Sequence, residues 1–600
     1  MPTARSAARP ALRVQLASGT RAAAAADRSS RRLAWIALAA LLAGALALRL
    51  WGVKQGLPYA YNADEADHFV PRAVSMFGGS LNPHYFQNPP AFTYLLHWMF
   101  AVAYGGGSGA VRTFALHPAE VYTLARVTAA LLGTLALWLL YLTGARLFGR
   151  GVGLIAAAIE AVAFLPVFYA HLALNDVPTL APLTLSLLGT AGVMTKGRTR
   201  DYAIAGVGLG LACATKYTAG IVLAPLLAAA ALRIREERGP RRVDALLSCA
   251  LAGALALVAF VLANPYSVLD YSDFHRELVR QSTLSGEAQG KLGAPRNGGI
   301  SYYLWSLTWG LGWVPALAAL GGALVIWRRR PALGLVLVPA PVAFLVLMGT
   351  EGRYFGRWLL PIFPVLCLLA AFFALELAGA IVARSRSARA PALRGGLLAV
   401  FVAALLVQGV VYSVHAGVVL SRADTRNLTR AWMLAHVPAG TPIVAEPVSP
   451  DEWARETRRA QTSGPAPYRW AKYRSKLSRI APDGTLIANP HTEVSIEDYE
   501  RTLAPPLLRY YSAHRYCFVV SGSTQSARAY ADPRAAPLAI AYYQALSRDG
   551  EVVYRASPYG AGSRPVSFNF DWSFDYYPLA YVRPGPVMTV YRLHGGRCGR

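Results

Sequence analysis

The chain has 600 residues, 54% of them hydrophobic and only 15% charged, and a formal net charge of +27. A soluble protein carries about 25% charged residues, and the apolar residues here fall into blocks near the roughly 20 needed to cross a bilayer. These values exclude a wholly soluble chain and point to a polytopic helical membrane protein. The arginines sit in short gaps between the apolar blocks, so they set membrane orientation and are not a nucleic-acid surface.

Residues 1–32 are rich in Ala and Arg and hold a single acid, Asp27. No small-residue cleavage site follows a short apolar core, so the segment reads as a disordered basic cytoplasmic tail before an uncleaved span. Length and hydropathy place eleven spans at about 33–51, 119–147, 152–170, 177–195, 202–215, 217–232, 243–263, 301–327, 332–349, 357–383 and 395–416. The stretch PPAFTYLLHWMFAVAYG at 89–105 is apolar as well. If it crossed, the basic gaps at Arg146–Arg150, Lys196–Arg200, Arg233–Arg242, Arg328–Arg330 and Arg384–Arg394 would all turn outward, against the positive-inside bias. It is therefore expected to be a juxtamembrane or re-entrant helix on the outer side. A membrane domain over 33–416, with an outer loop at 52–118, then precedes an extracytoplasmic α/β domain over 417–600. In that domain TPIVAE, YCFVVSG, EVVYRAS and VMTVYRLH have strand character, and TRNLTRAWMLAHV and IEDYERTLAPPLLRYYSAH have helical character.

The outer loop contains YNADEADHF, with Asp64, Glu65 and Asp67 inside four residues. Asn62 followed by Glu65 fits a capping box that starts a helix through ADHFVPRAVSMF. Asp64 and Asp67 are not needed for that. A carboxylate at the membrane surface, partly shielded from water, has the chemistry of a general base. Asp64, Asp67 and His68 would share one helical face and offer weak ligands for a hard cation, although no further spacing completes such a site. At HLALNDVPTL, Asn175 or Asp176 would serve as a helix N-cap, or Asp176 would face the outer surface beside Asp64. Lys216 ends the glycine-rich GVGLGLACAT segment. It either snorkels or binds phosphate. Arg126, Arg353 and Arg357 lie on the same predicted side. Glu160 and Glu376 stand alone in apolar blocks, as a proton-coupled transporter would require. Cys213, Cys249 and Cys367 lie in apolar blocks, whereas Cys517 and Cys598 in the polar part are either a disulfide or two thiols.

The order of these motifs resembles the GT-C membrane glycosyltransferases, in particular the protein O-mannosyltransferase and aminoarabinose transferase superfamily, glycosyltransferase family 39. The resemblance runs over roughly 33–415 and rests on a first span, an outer Asp-Glu pair, an aromatic-NPP-apolar stretch, an outer-turn Asp, a glycine-rich helix ending in Lys, and a late Arg-Tyr helix with prolines. It implies a cell-membrane, cell-envelope enzyme that moves a sugar from a polyprenyl-phosphate carrier to an acceptor (protein, lipid or polysaccharide) at the outer face of the bilayer. It also implies Asp64 with Glu65 as the catalytic pair. Asp176, Lys216, Arg353 and Arg357 would lie near the carrier phosphate, with Arg126 as a further cation. Gln87 and Asn88, in YFQNPPAF, depart from the charged residue that aminoarabinose transferases usually carry before the double proline. Amides can hydrogen-bond a sugar or a phosphate but supply no charge. The carrier phosphate is already a good leaving group, so one displacement with inversion needs no cofactor, a divalent cation being an open addition. The rival reading is a multispan transporter or lipid flippase using Glu160 and Glu376, for which inverted repeats and broken midplane helices would be expected.

Overall fold

The computed structural model describes residues 31–286, 292–293, 298–384, 390–456, 466–472, 476–480, 486–493, 499–568 and 578–594. Most of the predicted tail lies outside them. Among the described residues, eight helical stretches are long and apolar enough to cross a membrane: Arg31–Leu50, Pro118–Leu147, Tyr217–Glu236, Pro240–Ala263, Gly299–Arg329, Pro331–Thr350, Gly356–Arg384 and Ala392–His436. The other three predicted spans are helical but shorter or broken, namely Arg150–Val162 with Phe164–Tyr169, Leu180–Thr195, and Thr199–Thr215. The break in the first of these has a local cause. Pro166 has no N–H to give the carbonyl of Val162, and the Ser413 hydroxyl donates to that oxygen instead (2.8 Å).

The 89–105 stretch forms a helix only over Ala91–Ala103. Thirteen residues at 1.5 Å each cannot cross a hydrocarbon core of about 30 Å. Its two sides differ: Leu96 and Phe100 are buried, whereas Trp98 and Val102 are exposed.

The glycine-rich segment serves helix packing. Gly208 lies against the backbone of Ser186, and Gly206 and Gly210 lie against the carbonyls of Ala252 and Ala256. A Cβ at any of them would collide with a neighbouring helix, so the absence of side chains lets three helices approach closely. Gly206→Leu should cost about 1–3 kcal/mol through overpacking, read as a lowered melting temperature in detergent.

The expected uniform helix through ADHFVPRAVSMF is a correction. Residues Glu65–Phe69 form a π-helical turn, Val70–Ser75 an α-helix and Met76–Gly78 a 3-10 turn. Pro71 cannot donate to the carbonyl of Asp67, and the chain widens one turn ahead of it.

The C-terminal part is α/β. A sheet in the order β2-β1-β5-β7-β6 comprises β1 (Pro442–Ala445), β2 (Ala471–Lys472), β5 (Phe518–Gly522), β6 (Gly550–Ala556) and β7 (Met588–Leu593). A separate hairpin pairs β3 (Lys476–Ile480) with β4 (Leu486–Glu493). β1 runs parallel to β2 and β5, and β7 is antiparallel to β5 and β6. β1 therefore has parallel neighbours reached in opposite directions, a topological switch point whose carboxyl edge is where α/β sheets bind ligands. The four predicted strands and the 425–437 helix are present. The second helical stretch is divided into a 3-10 turn, Tyr499–Thr502, and a helix, Pro506–Ala513, separated by Leu503, Ala504 and Pro505.

Cys213, Cys249 and Cys367 are free thiols. Cys517 is disulfide-bonded. Cys598 lies outside the described residues.

Candidate active site

Four predicted residues from four separate segments converge. Asp64 opens the π-helical turn, and Asp176 lies in the turn before the 180–195 helix. Lys216 and Arg357 each stand at the head of a 3-10 turn, Tyr217–Val222 and Gly356–Ile362, that leads into a long helix. Such turns are usual at helix starts, and here they aim a cation at the loops. Arg357 donates to Asp64 (2.5 Å) and its Nε lies 3.9 Å from Asp176. Asp176 in turn accepts from Lys216. The result is one alternating row of acid, cation, acid, cation. Its members differ in access: Asp176 is 4% exposed and Lys216 8%, whereas the Asp64 side chain is 35% exposed. Asp64 is thus the acid of the row that an incoming group can reach.

Burial pushes the Asp64 carboxyl up, but Arg357, His68 and Lys216 outweigh it and hold the group below the ordinary carboxylate value. Asp67, with less compensation, is moved up by burial and by Glu452 and Asp64. His68 is moved down by burial and stacks on Tyr85 at 4.6 Å.

Neither Asn175 nor Asp176 caps the following helix, whose N-cap is Thr179. Asn175 instead donates to the Thr215 carbonyl (2.7 Å) and lies 3.5 Å from the Asn88 oxygen. It ties the Asp176 turn to the residue before Lys216. Asn88 therefore borders the row, and it also donates to the Tyr85 hydroxyl (2.8 Å).

Other predicted residues go elsewhere. Glu65 and Arg126 are fully buried against each other. The guanidinium fork closes on the carboxylate through two 2.7 Å bonds, and Arg126 also donates to the Val53 and Gln55 carbonyls. Glu65 further accepts from the Ala173 amide (2.8 Å). Asn62 accepts from the Glu65 amide (3.1 Å), as a capping box requires. Glu65 and Arg126 are thus engaged with each other and not with the row. Both were expected at the reaction centre. Gln87 donates to Glu277 (3.0 Å). Among the described residues, Arg353 forms no ion pair with either acid.

Asp64, Asp67 and His68 do not converge as metal ligands, because the Asp64 carboxylate turns to Arg357. Among the described residues the group whose ligand atoms do approach within 4.8 Å is His84, Asp270 and Asp273. Glu376 pairs with Arg329 (2.5 Å) and lies 3.8 Å from Arg330 at the end of its helix, which accounts for it without a transport path. Glu160 is 1% exposed and neither carboxylate oxygen has a hydrogen-bond partner.

A family model described as dolichyl-phosphate-mannose-protein mannosyltransferase matches residues 118–263, the stretch that contains Asp176 and Lys216. The chain resembles the GT-C protein O-mannosyltransferase superfamily. Solved structures with a similar arrangement include ArnT from Cupriavidus metallidurans bound to undecaprenyl phosphate, with 14% identity, 93% of this chain and 98% of that one covered, and a TM-score of 0.45. They also include the Archaeoglobus fulgidus oligosaccharyltransferase, with 13% identity, 88% and 73% covered, and a TM-score of 0.48. A third is the mycobacterial arabinofuranosyltransferase AftD, with 16% identity, 94% and 40% covered, and a TM-score of 0.42. Among curated proteins none matches the chain by sequence.

Proposed function

We propose that the chain is an inverting glycosyltransferase that takes a sugar from a polyprenyl-phosphate carrier at the outer face of the membrane. The observation that carries this reading is the row Asp64–Arg357–Asp176–Lys216, with its one accessible carboxylate. The matched family's name supports the same class of donor, and ArnT is described with undecaprenyl phosphate bound.

The chemistry follows from the row. Arg357 and Lys216 are cations within reach of one another's acids, and a carrier phosphate would draw both toward its oxygens. Cations placed where charge develops lower the barrier to departure. Asp64 would accept the proton of the acceptor hydroxyl as that oxygen attacks the anomeric carbon. The carbon–oxygen bond to phosphate breaks, and the carrier leaves as polyprenyl phosphate. Arg357 has two tasks. In the resting row it holds Asp64 ionised but weakly basic. Once phosphate recruits the guanidinium, the Asp64 carboxylate regains proton affinity.

That exchange has a sign. A depressed carboxyl value means that the base form is present above it and is lost only as pH falls through it. The acid limb of kcat/KM should therefore lie below the ordinary aspartate value of about 3.9. In Arg357→Gln the burial effect is opposed only by His68 and Lys216, and the limb should move to higher pH. An unmoved limb would separate Arg357 from Asp64.

The decisive experiment is transfer of radiolabelled sugar from polyprenyl-phosphate donors by the wild-type protein in proteoliposomes. Transfer is expected. With no transfer from any carrier sugar, the transporter reading takes its place and Glu160→Gln becomes the next variant. Lys216→Met should raise the donor KM about ten- to a hundredfold, the loss of one charged hydrogen bond of about 1.5–3 kcal/mol.

A further inference from the structure

The C-terminal domain contains a cavity of about 480 Å³ that the row above does not use. This lies within the range of about 300–1,000 Å³ of small-molecule sites. It opens at the carboxyl end of β5, the edge of the sheet that contains the switch point. Its polar wall is made of hydroxyls, among them Ser521, Ser523, Thr524 and Ser526 from the end of β5 and the first turn of the 523–531 helix. Its other walls are aromatic, including Tyr530 and Tyr559, and Arg555 on β6 closes one side. Arg555 is exposed, and among the described residues it forms no ion pair. Tyr530 is 50% exposed, an aromatic face offered to solvent at the rim.

Hydroxyls that donate and accept, flat aromatic faces and a planar guanidinium are together the groups that recognise a sugar ring. Its hydroxyls need two-way hydrogen bonding, and its C–H faces pack on aromatic rings. Little here would favour a lipid tail, because the Thr524 hydroxyl and the Arg555 guanidinium would be left desolvated.

The cavity is also connected to the outer loop. Arg426 lines it and stacks 3.5 Å above the ring of Tyr61, three residues before Asp64. Asp424 fixes that guanidinium through bonds of 2.9 and 2.7 Å. The next residue, Asn427, accepts from the Tyr61 hydroxyl and donates to the Gly56 carbonyl (3.0 Å). One wall of the cavity is therefore braced on the segment that carries the proposed base.

We infer that this cavity is a saccharide-binding site that holds a distal sugar of the acceptor while its reacting hydroxyl lies at Asp64. The inference deepens the proposed function, yet its test needs no transfer. Binding of mannobiose and of a glucuronate-containing disaccharide to the full-length protein in detergent micelles is measured by calorimetry, without donor. The same titrations use Tyr530→Ala, Arg555→Ala and Asp64→Asn. Both cavity side chains are exposed, so folding should survive, and unchanged melting temperatures would verify it. At least one disaccharide should bind, with a dissociation constant at least tenfold higher in both cavity variants and unchanged in Asp64→Asn. Stronger binding of the glucuronate sugar, weakened more in Arg555→Ala than in Tyr530→Ala, would identify the acidic class of acceptor. Absence of binding at millimolar sugar, or equal binding by the cavity variants, overturns the inference while leaving sugar transfer to be judged on its own assay.

Discussion

Asp64→Asn should reduce sugar transfer by about 10²–10⁴-fold, the contribution of a positioned general base, in a protein that still folds. The substitution keeps the shape of the side chain and removes its proton affinity. Its structural effect should be small, because the Asp64 side chain is 35% exposed and the amide oxygen can still accept from Arg357. Donor KM should change little, or fall, since Arg357 is released from a carboxylate that competes with phosphate. A well-folded Asp64→Asn with wild-type turnover would move the base to another group, and Asp176 would be the next acid to test. Its 4% exposure and its pairing with Lys216 make it the poorer choice.

The second large effect concerns stability. Glu65→Gln should destabilise the protein by about 3–5 kcal/mol, because it strands a fully buried Arg126 charge. Arg126 would keep the Val53 and Gln55 carbonyls but lose its counter-charge, and the Ala173 amide would lose a charged acceptor. Thermal unfolding in detergent reads the loss directly. A paired substitution of Glu65→Gln with Arg126→Met should recover much of it, because neither ion is then left alone. If Glu65→Gln abolished transfer at an unchanged melting temperature, Glu65 would be chemical rather than structural. The same bonds reach the 171–176 turn, so activity in the single variant should fall along with stability, not ahead of it.

The membrane part was legible because its signals are local. Span positions follow from hydropathy. Charge parity, a property of the whole chain, sets 89–105 apart from the spans in sequence, and the helix there has only the 13 residues Ala91–Ala103. In the C-terminal part, strands with alternating β-branched residues were visible, whereas β4 was not. Pro490 interrupts its pattern, and proline in a strand argues against one when read from sequence. β2, with two residues, carries no period at all.

At the site, sidedness brought Asp64, Asp176, Lys216 and Arg357 into one group, but sidedness cannot assign partners. Glu65 and Arg126 met the same criteria as the others. Their mutual burial depends on residues 61 positions apart, and adjacency to Asp64 made Glu65 look like a second catalytic acid. The π-helical turn explains the difference. One residue opens toward Arg357 and the next is driven into the bundle. Tyr61, Arg426 and Asn427 were missed for the same reason, being ordinary polar or aromatic residues until the two domains meet.

The alternating row also bears on how a catalytic cycle would end. A sugar-loaded carrier is a phosphodiester with one negative charge, whereas the spent carrier is a monoester approaching two. Arg357 and Lys216 alone would hold the spent lipid more tightly than the fresh one, and turnover would stall on its own product. Asp64 and Asp176 are built-in competitors for the same two cations. Closing the row again would displace the spent lipid, so the acids that share the site with the cations would also set the pace of release.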